Sequence, residues 1–135
     1  MSQSKETQKA VVVPRTPVIA IVDDDLAIRE AMEDLVRSYG YECLLFGSAE
    51  DFLDFQPRGD IDCIVVDVEM PGMNGLEMQE AINRHSPRPP TIFVTSYTDH
   101  LTKKNAIAGG ASAFLGKPLN IDALMTSLET IVGLP

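Results

Sequence analysis

Short apolar runs alternate along this chain with segments whose apolar residues recur every three or four positions. Five runs are nearly continuous in apolar residues, which is typical of strands buried on both faces of a sheet. We therefore predict strands at residues 18–22, 41–46, 62–67, 91–95 and 112–116.

A segment with helical spacing follows each run. The first predicted helix ends at Gly40, and the residues that share its apolar face are Ile28, Met32, Leu35, Val36 and Tyr39. The second is short, with Ser48 as its N-cap and Asp51 three residues on. The third is expected from Leu76 to about His85.

The last two helices differ in the strength of their pattern. Residues 99–108 are poorly amphipathic and predict a weaker helix, ended by Gly109 and Gly110. The final helix has the clearest spacing in the chain, and Asn120 is its expected N-cap. Its predicted buried positions are Ile121, Leu124, Met125, Leu128, Ile131 and Val132.

Five strands that are each followed by a helix predict an α/β fold, because the helices supply the crossovers that parallel strands need. A flavodoxin-like, doubly wound five-stranded parallel sheet with strand order 2-1-3-4-5 and five helices suits a chain of this length. Residues 17–135 are expected to form this one domain. Residues 1–16 are polar and interrupted by Pro14, and they predict a flexible N-terminal leader.

Composition narrows the class of protein further. The net charge of −9 disfavours direct binding of this chain to nucleic acid or to an anionic membrane, since both are negative. Cys43 and Cys63 are too few for a disulfide framework, and the two histidines have no paired ligand spacing for zinc. No apolar segment reaches the length of a membrane span. We therefore predict a cytoplasmic protein.

Polar side chains end the predicted strands at one edge of the sheet. Asp23, Asp24 and Asp25 follow the first strand, and Asp67 follows the third. Thr95 ends the fourth strand, and Lys117 comes directly after the fifth. Ligands of open α/β sheets bind beyond the carboxyl ends of the strands. We expect Asp23, Asp24 and Asp67 to point into one crevice there, with Thr95 and Lys117 approaching from the other side.

Such a cluster needs more positive charge than one lysine supplies. At an effective dielectric near 20, each pair of carboxylates about 5 Å apart costs about 3 kcal/mol. A divalent cation offsets this repulsion, and hard oxygen ligands with an incomplete shell favour Mg²⁺. The constellation suits phosphoryl transfer to a carboxylate, with Asp67 as the nucleophile and Lys117 and Thr95 contacting the phosphoryl oxygens. Acidic residues that only cap helices or face solvent are the plainer alternative.

The motifs IVDDD, VVDVEMPGMNGLEM, VTSYTD and AFLGKPL occur in this order and at a spacing that resembles the receiver (response-regulator) domain of bacterial two-component signalling. The resemblance covers residues 17 to 132. The segments GYECLLFGSAEDFL and MPGMNGLEMQ are most similar to receivers of the FixJ/NarL type, whose full-length members carry a C-terminal DNA-binding helix-turn-helix.

The resemblance implies a role for each matched residue. Asp67 is implied as the phosphoacceptor, and the Mg²⁺ ligands are implied to be Asp23, Asp24, Asp67 and the main-chain carbonyl of Glu69. Mn²⁺ could substitute for Mg²⁺. The resemblance also implies that Thr95 is the switch hydroxyl, Phe114 the switch aromatic and Lys117 the conserved-type lysine, with a cis bond between Lys117 and Pro118.

The implied function is signalling rather than enzymatic turnover. A sensor histidine kinase or a phosphotransfer protein would phosphorylate Asp67, and the domain would assist only its own phosphorylation and dephosphorylation. The surface of helix four, strand five and helix five would then change to control an output, a partner or a homodimer. Whether residues 133–135 begin a linker to an output domain or end a stand-alone receiver stays open.

Three alternatives stay open at this point. A Mg²⁺-dependent phosphohydrolase of the haloacid dehalogenase type would use Asp67 as the nucleophile and the residue two positions on, here Glu69, as the acid/base. A degenerate receiver would act as a phosphorylation-independent scaffold. An FMN-binding protein shares the fold, but the first strand is not followed by a phosphate loop rich in Gly, Ser and Thr.

Overall fold

The computed structural model describes residues 15–55, 58–85, 88–96 and 98–135. Within these residues the strands are β1 (Val18–Val22), β2 (Glu42–Phe46), β3 (Cys63–Val66), β4 (Thr91–Thr95) and β5 (Ala113–Gly116). The helices are α1 (Leu26–Ser38), α2 (Ala49–Asp54), α3 (Gly75–Asn83), α4 (His100–Ala108) and α5 (Ile121–Val132), with a 3₁₀ turn at Arg58–Asp60.

The strands form one parallel sheet in the order β2-β1-β3-β4-β5, which confirms the predicted fold. Its three inner strands carry almost only buried residues. The edge strand β2 instead exposes Glu42 and Leu45, and every residue of β5 is partly exposed. The continuous apolar pattern therefore describes the inner strands better than the edges.

Each described helix begins at a side chain that accepts a hydrogen bond from the amide three residues on. These N-caps are Asp25, Ser48, Asn74, Asp99 and Asn120. Such a cap satisfies one of the amides that an α-helix leaves unpaired at its start. In α3 the bond is reciprocal, since Glu77 accepts from the Asn74 amide. This reciprocal capping starts α3 at Gly75, one residue before the predicted start at Leu76. The helix ends at Asn83, two residues before the predicted end at His85.

Alternate residues of the strands feed two core layers on opposite faces of the sheet. Helices α1 and α5 cover one layer, into which Met32, Val36, Leu124 and Leu128 pack. Helices α2, α3 and α4 cover the other; their buried members include Phe52, Met78, Ile82 and Ala106. The sheet is therefore doubly wound, and neither face is left to solvent.

Two positions predicted to be buried are half exposed. Tyr39 is 47% exposed and Ile121 is 49% exposed. Tyr39 is the C-cap of α1, and Ile121 is the first residue of α5. Helical spacing places both on the apolar face, but they lie at helix ends, where less of the neighbouring structure covers them.

The predicted leader falls largely outside the described residues, since these begin at Arg15. The Arg15 guanidinium makes two bonds of 2.8 Å to the Asp62 carboxylate, which also accepts from the Val18 amide at 2.8 Å. Cys43 and Cys63 are free thiols, as expected. Over the described ranges, no helix is long and apolar enough to cross a membrane.

Candidate functional site

Asp23 and Asp67 end neighbouring central strands at the same edge of the sheet. The Asp23 amide donates to the Phe46 carbonyl at 3.1 Å, and the Asp67 amide donates to the Val22 carbonyl at 3.2 Å. These bonds continue the parallel ladder by one residue and fix both backbones. Both side chains are buried, with Asp23 1% and Asp67 8% exposed. The sheet thus holds two carboxylates side by side with little access to water.

Lys117 joins the two carboxylates. Its ammonium Nζ lies 2.7 Å from Asp67 Oδ2 and 3.3 Å from Asp23 Oδ2. The Lys117 amide donates to the Thr95 carbonyl at 2.9 Å, so its backbone extends the pairing of β4 with β5. The bond to Pro118 is cis, as the resemblance implied. Three strand ends therefore converge on one ion-paired cluster of Asp23, Asp67 and Lys117.

The other oxygens of these carboxylates accept bonds from nearby amides. Asp67 Oδ1 accepts from the Glu69 amide at 3.0 Å, and Asp23 Oδ1 accepts from the Asp25 amide at 2.9 Å. The Arg29 guanidinium donates to the Asp23 main-chain carbonyl at 2.6 Å. Each carboxylate is thereby oriented by one amide and by Lys117 together.

Two buried carboxylates and one ammonium leave the cluster one positive charge short. Burial raises the pKa of Asp23 above its ordinary value, against the Asp25 hydrogen bond and the Lys117 charge. Burial alone would lower the pKa of Lys117, but hydrogen bonding to Asp67 and the charges of Asp23 and Asp67 raise it overall. Desolvation, followed by the charge of Asp67, raises the pKa of Glu69. Desolvation thus dominates the shifts of the two carboxyl groups, and the nearby aspartates dominate that of Lys117.

This donor set fits a hard divalent cation. Asp23 and Asp67 offer buried carboxylate oxygens, and a main-chain carbonyl with solvent waters could complete the shell that Mg²⁺ prefers. Among the described residues, no three His, Cys, Asp or Glu side chains are grouped so as to hold a metal. Asp24, expected in the crevice, lies in the bend after β1 and is exposed. Its carboxylate would have to turn inward to join Asp23 and Asp67 at a metal.

Thr95 and Phe114 lie on the β4–β5 side of the cluster. Thr95 is fully buried at the end of β4 and pairs in register with Gly116. Phe114 is partly buried, and its ring centroid lies 6.4 Å from that of Phe93 at an interplanar angle of 47°. The structure therefore brings Thr95 next to Lys117 along the backbone, and it places Phe114 three residues before Lys117 on the edge strand.

Sequence reasoning passed over three residues whose side chains contact main-chain groups of other elements. Arg29 holds the end of β1, Glu50 contacts the loop after Asp67, and Gln79 contacts the end of α4. Arg29 and Glu50 read as ordinary charged residues of helix surfaces. Gln79 carried a usable signal, since a buried amide on an otherwise apolar helix face needs a partner.

The fold and the strand-end cluster define a receiver domain. The sequence model of the family described as "Response regulator receiver domain" matches residues 19–129, and this chain belongs to that family. The family serves two-component signalling, in which a receiver is generally a phosphoacceptor rather than a catalytic enzyme, and its members typically depend on Mg²⁺.

Two curated relatives are consistent with the resemblance to receivers of the FixJ type. The chain is 36% identical over 120 residues to the response regulator protein TodT of Pseudomonas putida, covering 89% of this chain and 53% of TodT. It is 33% identical over 114 residues to the transcriptional regulatory protein FixJ of Bradyrhizobium diazoefficiens, covering 84% of this chain and 56% of FixJ. The chain thus spans about half the length of these curated relatives.

A solved structure supports the fold. The chemotaxis protein CheY4 of Vibrio cholerae superposes with a TM-score of 0.81 at 28% identity, covering 87% of this chain and all of CheY4. The residues that the family model matches, 19–129, include Asp23, Asp67 and Lys117.

Proposed function

We propose that Asp67 accepts a phosphoryl group from a sensor histidine kinase or a phosphotransfer protein. The observation that carries this proposal is the Lys117 ammonium, which lies 2.7 Å from Asp67 Oδ2 at the edge of the sheet. A buried carboxylate held beside a cation is oriented for attack and is positioned where transferred negative charge can be neutralised.

The transfer forms one bond and breaks another. A carboxylate oxygen of Asp67 attacks phosphorus, the bond from phosphorus to the donor imidazole nitrogen breaks, and the imidazole leaves with the electron pair. Lys117 neutralises a phosphoryl oxygen, and the Thr95 hydroxyl donates a hydrogen bond to another. Asp23, Asp24, Asp67 and the Glu69 main-chain carbonyl would hold the Mg²⁺ or Mn²⁺, which when bound supplies further neutralising charge to the phosphoryl oxygens.

Phosphorylation would change the surface formed by α4, β5 and α5. The added charge draws Thr95 and Lys117 toward the phosphoryl group, and Phe114 turns into the space that Thr95 leaves. Two features of α4 support a change at this surface. Only Ala106 of α4 is buried among its described residues, and Leu101 is 64% and Ile107 48% exposed. A partner or a second copy of the chain would bind this surface.

A second surface fits the phosphoryl donor. An apolar cleft of about 500 Å³ lies between α1 and the start of α5, and it is lined by residues that include Ile28, Leu35, Pro118 and Ile121. Lys117 also lines it, so a partner docked in the cleft is beside the phosphoacceptor.

Since the chain spans about half of TodT and FixJ, we infer that the full protein controls an output such as transcription through a further domain.

The direct test uses a small-molecule phosphodonor. The chain is incubated with acetyl phosphate and Mg²⁺ and analysed by intact-mass spectrometry, with Asp67→Asn as the matched control. We expect a phosphoryl adduct on the unmodified chain and none on the variant. Lys117→Ala should retain the fold but slow adduct formation strongly. Absence of an adduct, or an equal adduct on Asp67→Asn, would overturn the proposal.

The same samples also distinguish a phosphoacceptor from a hydrolase. Sustained turnover of p-nitrophenyl phosphate that depends on Asp67 and Glu69 would favour an aspartyl-phosphate phosphohydrolase instead. Unchanged output from Asp67→Asn in the cell would favour the phosphorylation-independent scaffold.

A further inference from the structure

The loop between β3 and α3, residues 67–74, carries both the phosphoacceptor and the main-chain carbonyl expected at the metal. Three amide hydrogen bonds close within this loop and the first turn of α3. The Glu69 amide donates to Asp67 Oδ1 at 3.0 Å, the Asn74 amide to Glu77 Oε1 at 2.9 Å, and the Gly75 amide to the Val68 carbonyl at 2.8 Å.

Beyond Asp67, whose amide continues the pairing with β1, one further amide of this loop has its partner on a different element. The Met73 amide donates to Glu50 Oε2 at 3.1 Å, and Glu50 lies in the first turn of α2. Helix α2 follows the edge strand β2, whereas the loop follows the central strand β3. Among the described residues, Glu50 therefore supplies the hydrogen bond that ties this loop to the β2–α2 side of the sheet.

The turn at Gly72 is shaped around the Glu50 carboxylate. Gly72 has φ +75°, and a Cβ built on it would lie 2.8 Å from Glu50 Oε2. A side chain at this position would have to displace the carboxylate and would also strain the backbone. The close approach leaves the Glu50 oxygen directly against the loop backbone, where it accepts from Met73.

From these contacts we propose that Glu50 is a positioning residue for the phosphoacceptor loop. The inference rests on the proposed function of Asp67. With the bond in place, the segment from Asp67 to Gly72 is fixed at both ends, because the Asp67–Glu69 turn holds one end and Glu50 holds the other. The Glu69 carbonyl lies on this segment, so loss of Glu50 lets it move away from the phosphoacceptor. Glu50 itself touches neither the phosphoryl group nor the metal.

The closest matched control is Asp51. It is the neighbouring carboxylate in the same first turn of α2, it is exposed, and its amide rather than its side chain bonds to the Ser48 cap. Asp51→Ala therefore removes the same charge from the same turn and leaves the Met73 bond intact. Glu50→Gln keeps an oxygen that can accept from Met73, and it serves as the conservative rescue.

The first measurement is made without metal or phosphodonor. Amide hydrogen exchange at Met73 is followed by NMR in the unmodified chain, Glu50→Ala, Glu50→Gln and Asp51→Ala. We expect exchange at Met73 to become about tenfold faster in Glu50→Ala, since the amide loses a charge-assisted bond. Asp51→Ala and Glu50→Gln should stay within about twofold of the unmodified chain. Equal exchange in Glu50→Ala and Asp51→Ala would show that the bond does not hold the loop.

The second measurement tests the effect on the site. The Mg²⁺ concentration that half-saturates acetyl phosphate labelling of Asp67 should rise about tenfold in Glu50→Ala, at the low end of the effects of residues that orient metal ligands. It should be unchanged in Asp51→Ala and largely restored in Glu50→Gln. If the unmodified chain is not labelled at all, the proposed function of Asp67 fails. If it is labelled and Glu50→Ala matches Asp51→Ala, the positioning role fails.

Gly72→Ala gives an independent way to displace the carboxylate. It should reproduce the fast exchange at Met73 while Glu50 is still present, and the double variant with Glu50→Ala should exchange no faster than either single variant. Additive effects of the two substitutions would mean that Gly72→Ala acts through backbone strain alone. This result would contradict the proposal that both substitutions break the same contact of the Glu50 carboxylate with the loop.

Discussion

Helices α1 and α4 begin alike and are held differently. Each follows a strand that carries a site residue, and each is capped by an aspartate, Asp25 for α1 and Asp99 for α4. Helix α1 has 13 residues and buries Met32 and Val36 against the sheet. Helix α4 has 9 residues and buries only Ala106 among those described.

The difference divides the site into a fixed and an adjustable half. The β1–α1 half holds Asp23 by the ladder, the Arg29 bond and a large apolar contact. The β4–α4–β5 half holds Thr95 and Lys117 on strands that α5 covers on one face, while α4 on the other face buries only Ala106 among its described residues. Elements with few buried apolar contacts open at low free-energy cost, so motion driven by the site is expected to pass through α4.

The largest expected effect comes from truncating one apolar side chain of each helix in turn, a core residue of α1 and an exposed residue of α4. Met32→Ala removes a side chain that is 4% exposed, and we expect a loss of about 3 kcal/mol in the free energy of unfolding. Leu101→Ala removes one that is 64% exposed, and the change should stay within about 0.5 kcal/mol. Urea denaturation followed by circular dichroism measures both. Similar losses in the two variants would contradict the division between α1 and α4.

Alkaline pH is a more selective probe of the α1 side. Both cysteines of the chain lie in the core layer that α1 and α5 cover. Burial raises the pKa of Cys43 from 9.0 to about 11 and that of Cys63 to about 12. The folded state thus keeps both thiols protonated at a pH where the unfolded chain loses these protons. The stability they contribute is complete below the unfolded pKa and is lost as the pH rises above it.

By this linkage, each thiol should lower the free energy of unfolding by about 1.4 kcal/mol between pH 8 and pH 10. The readout is the slope of stability against pH, obtained from urea denaturation at several pH values. Cys63→Ala should be less stable at pH 8, because it leaves a small cavity, but its slope should be shallower than that of the unmodified chain. An unchanged slope would show that the buried thiols do not carry the pH dependence.

The sequence predicted the strands and which residues end them, because apolar runs and the residues that stop them are local features. The strand order followed from the fold that suits five strand–helix units in a chain of this length. From parallel geometry it followed that Asp23, Asp67 and Lys117 share an edge. The exposure of Asp24 could not be predicted, since it depends on which way one side chain turns after the strand. Tyr39 and Ile121 were assigned to buried faces because spacing alone does not register what lies beyond a helix end.

The partners of Glu50 and Gln79 could not be predicted for a different reason, although a buried amide such as that of Gln79 does indicate that a partner exists. Each joins two elements that are distant in the chain, Glu50 to the loop after β3 and Gln79 to α4. Their partners are main-chain groups, which have no signature in the amino-acid sequence. The weak amphipathicity of residues 99–108 predicted a weaker helix, and α4 indeed buries only Ala106 among its described residues, since a helix with no clear apolar face has little to bury.

The smallest expected effect concerns the one end of α4 that is well held. The Gln79 side chain is 6% exposed and donates to the Ala106 carbonyl at 3.0 Å. A Cβ on Gly109 would collide with it, and Asn83 donates to the Gly109 carbonyl at 2.8 Å. The side-chain amides of Gln79 and Asn83 thus fix the carboxyl end of α4. If the amino end of α4 moves, the helix would rotate about this fixed end.

Gln79→Leu should change the global free energy of unfolding by no more than about 0.5 kcal/mol, because the Ala106 carbonyl still accepts from the Ala111 amide at 3.0 Å. Its effect should be local: amide exchange should accelerate about fivefold across α4 and stay within about twofold in α1. Glu80→Ala, an exposed neighbour on α3, is the control and should alter neither helix. If exchange in α1 rises together with α4, the two halves of the site are one cooperative unit and the contrast between them is wrong.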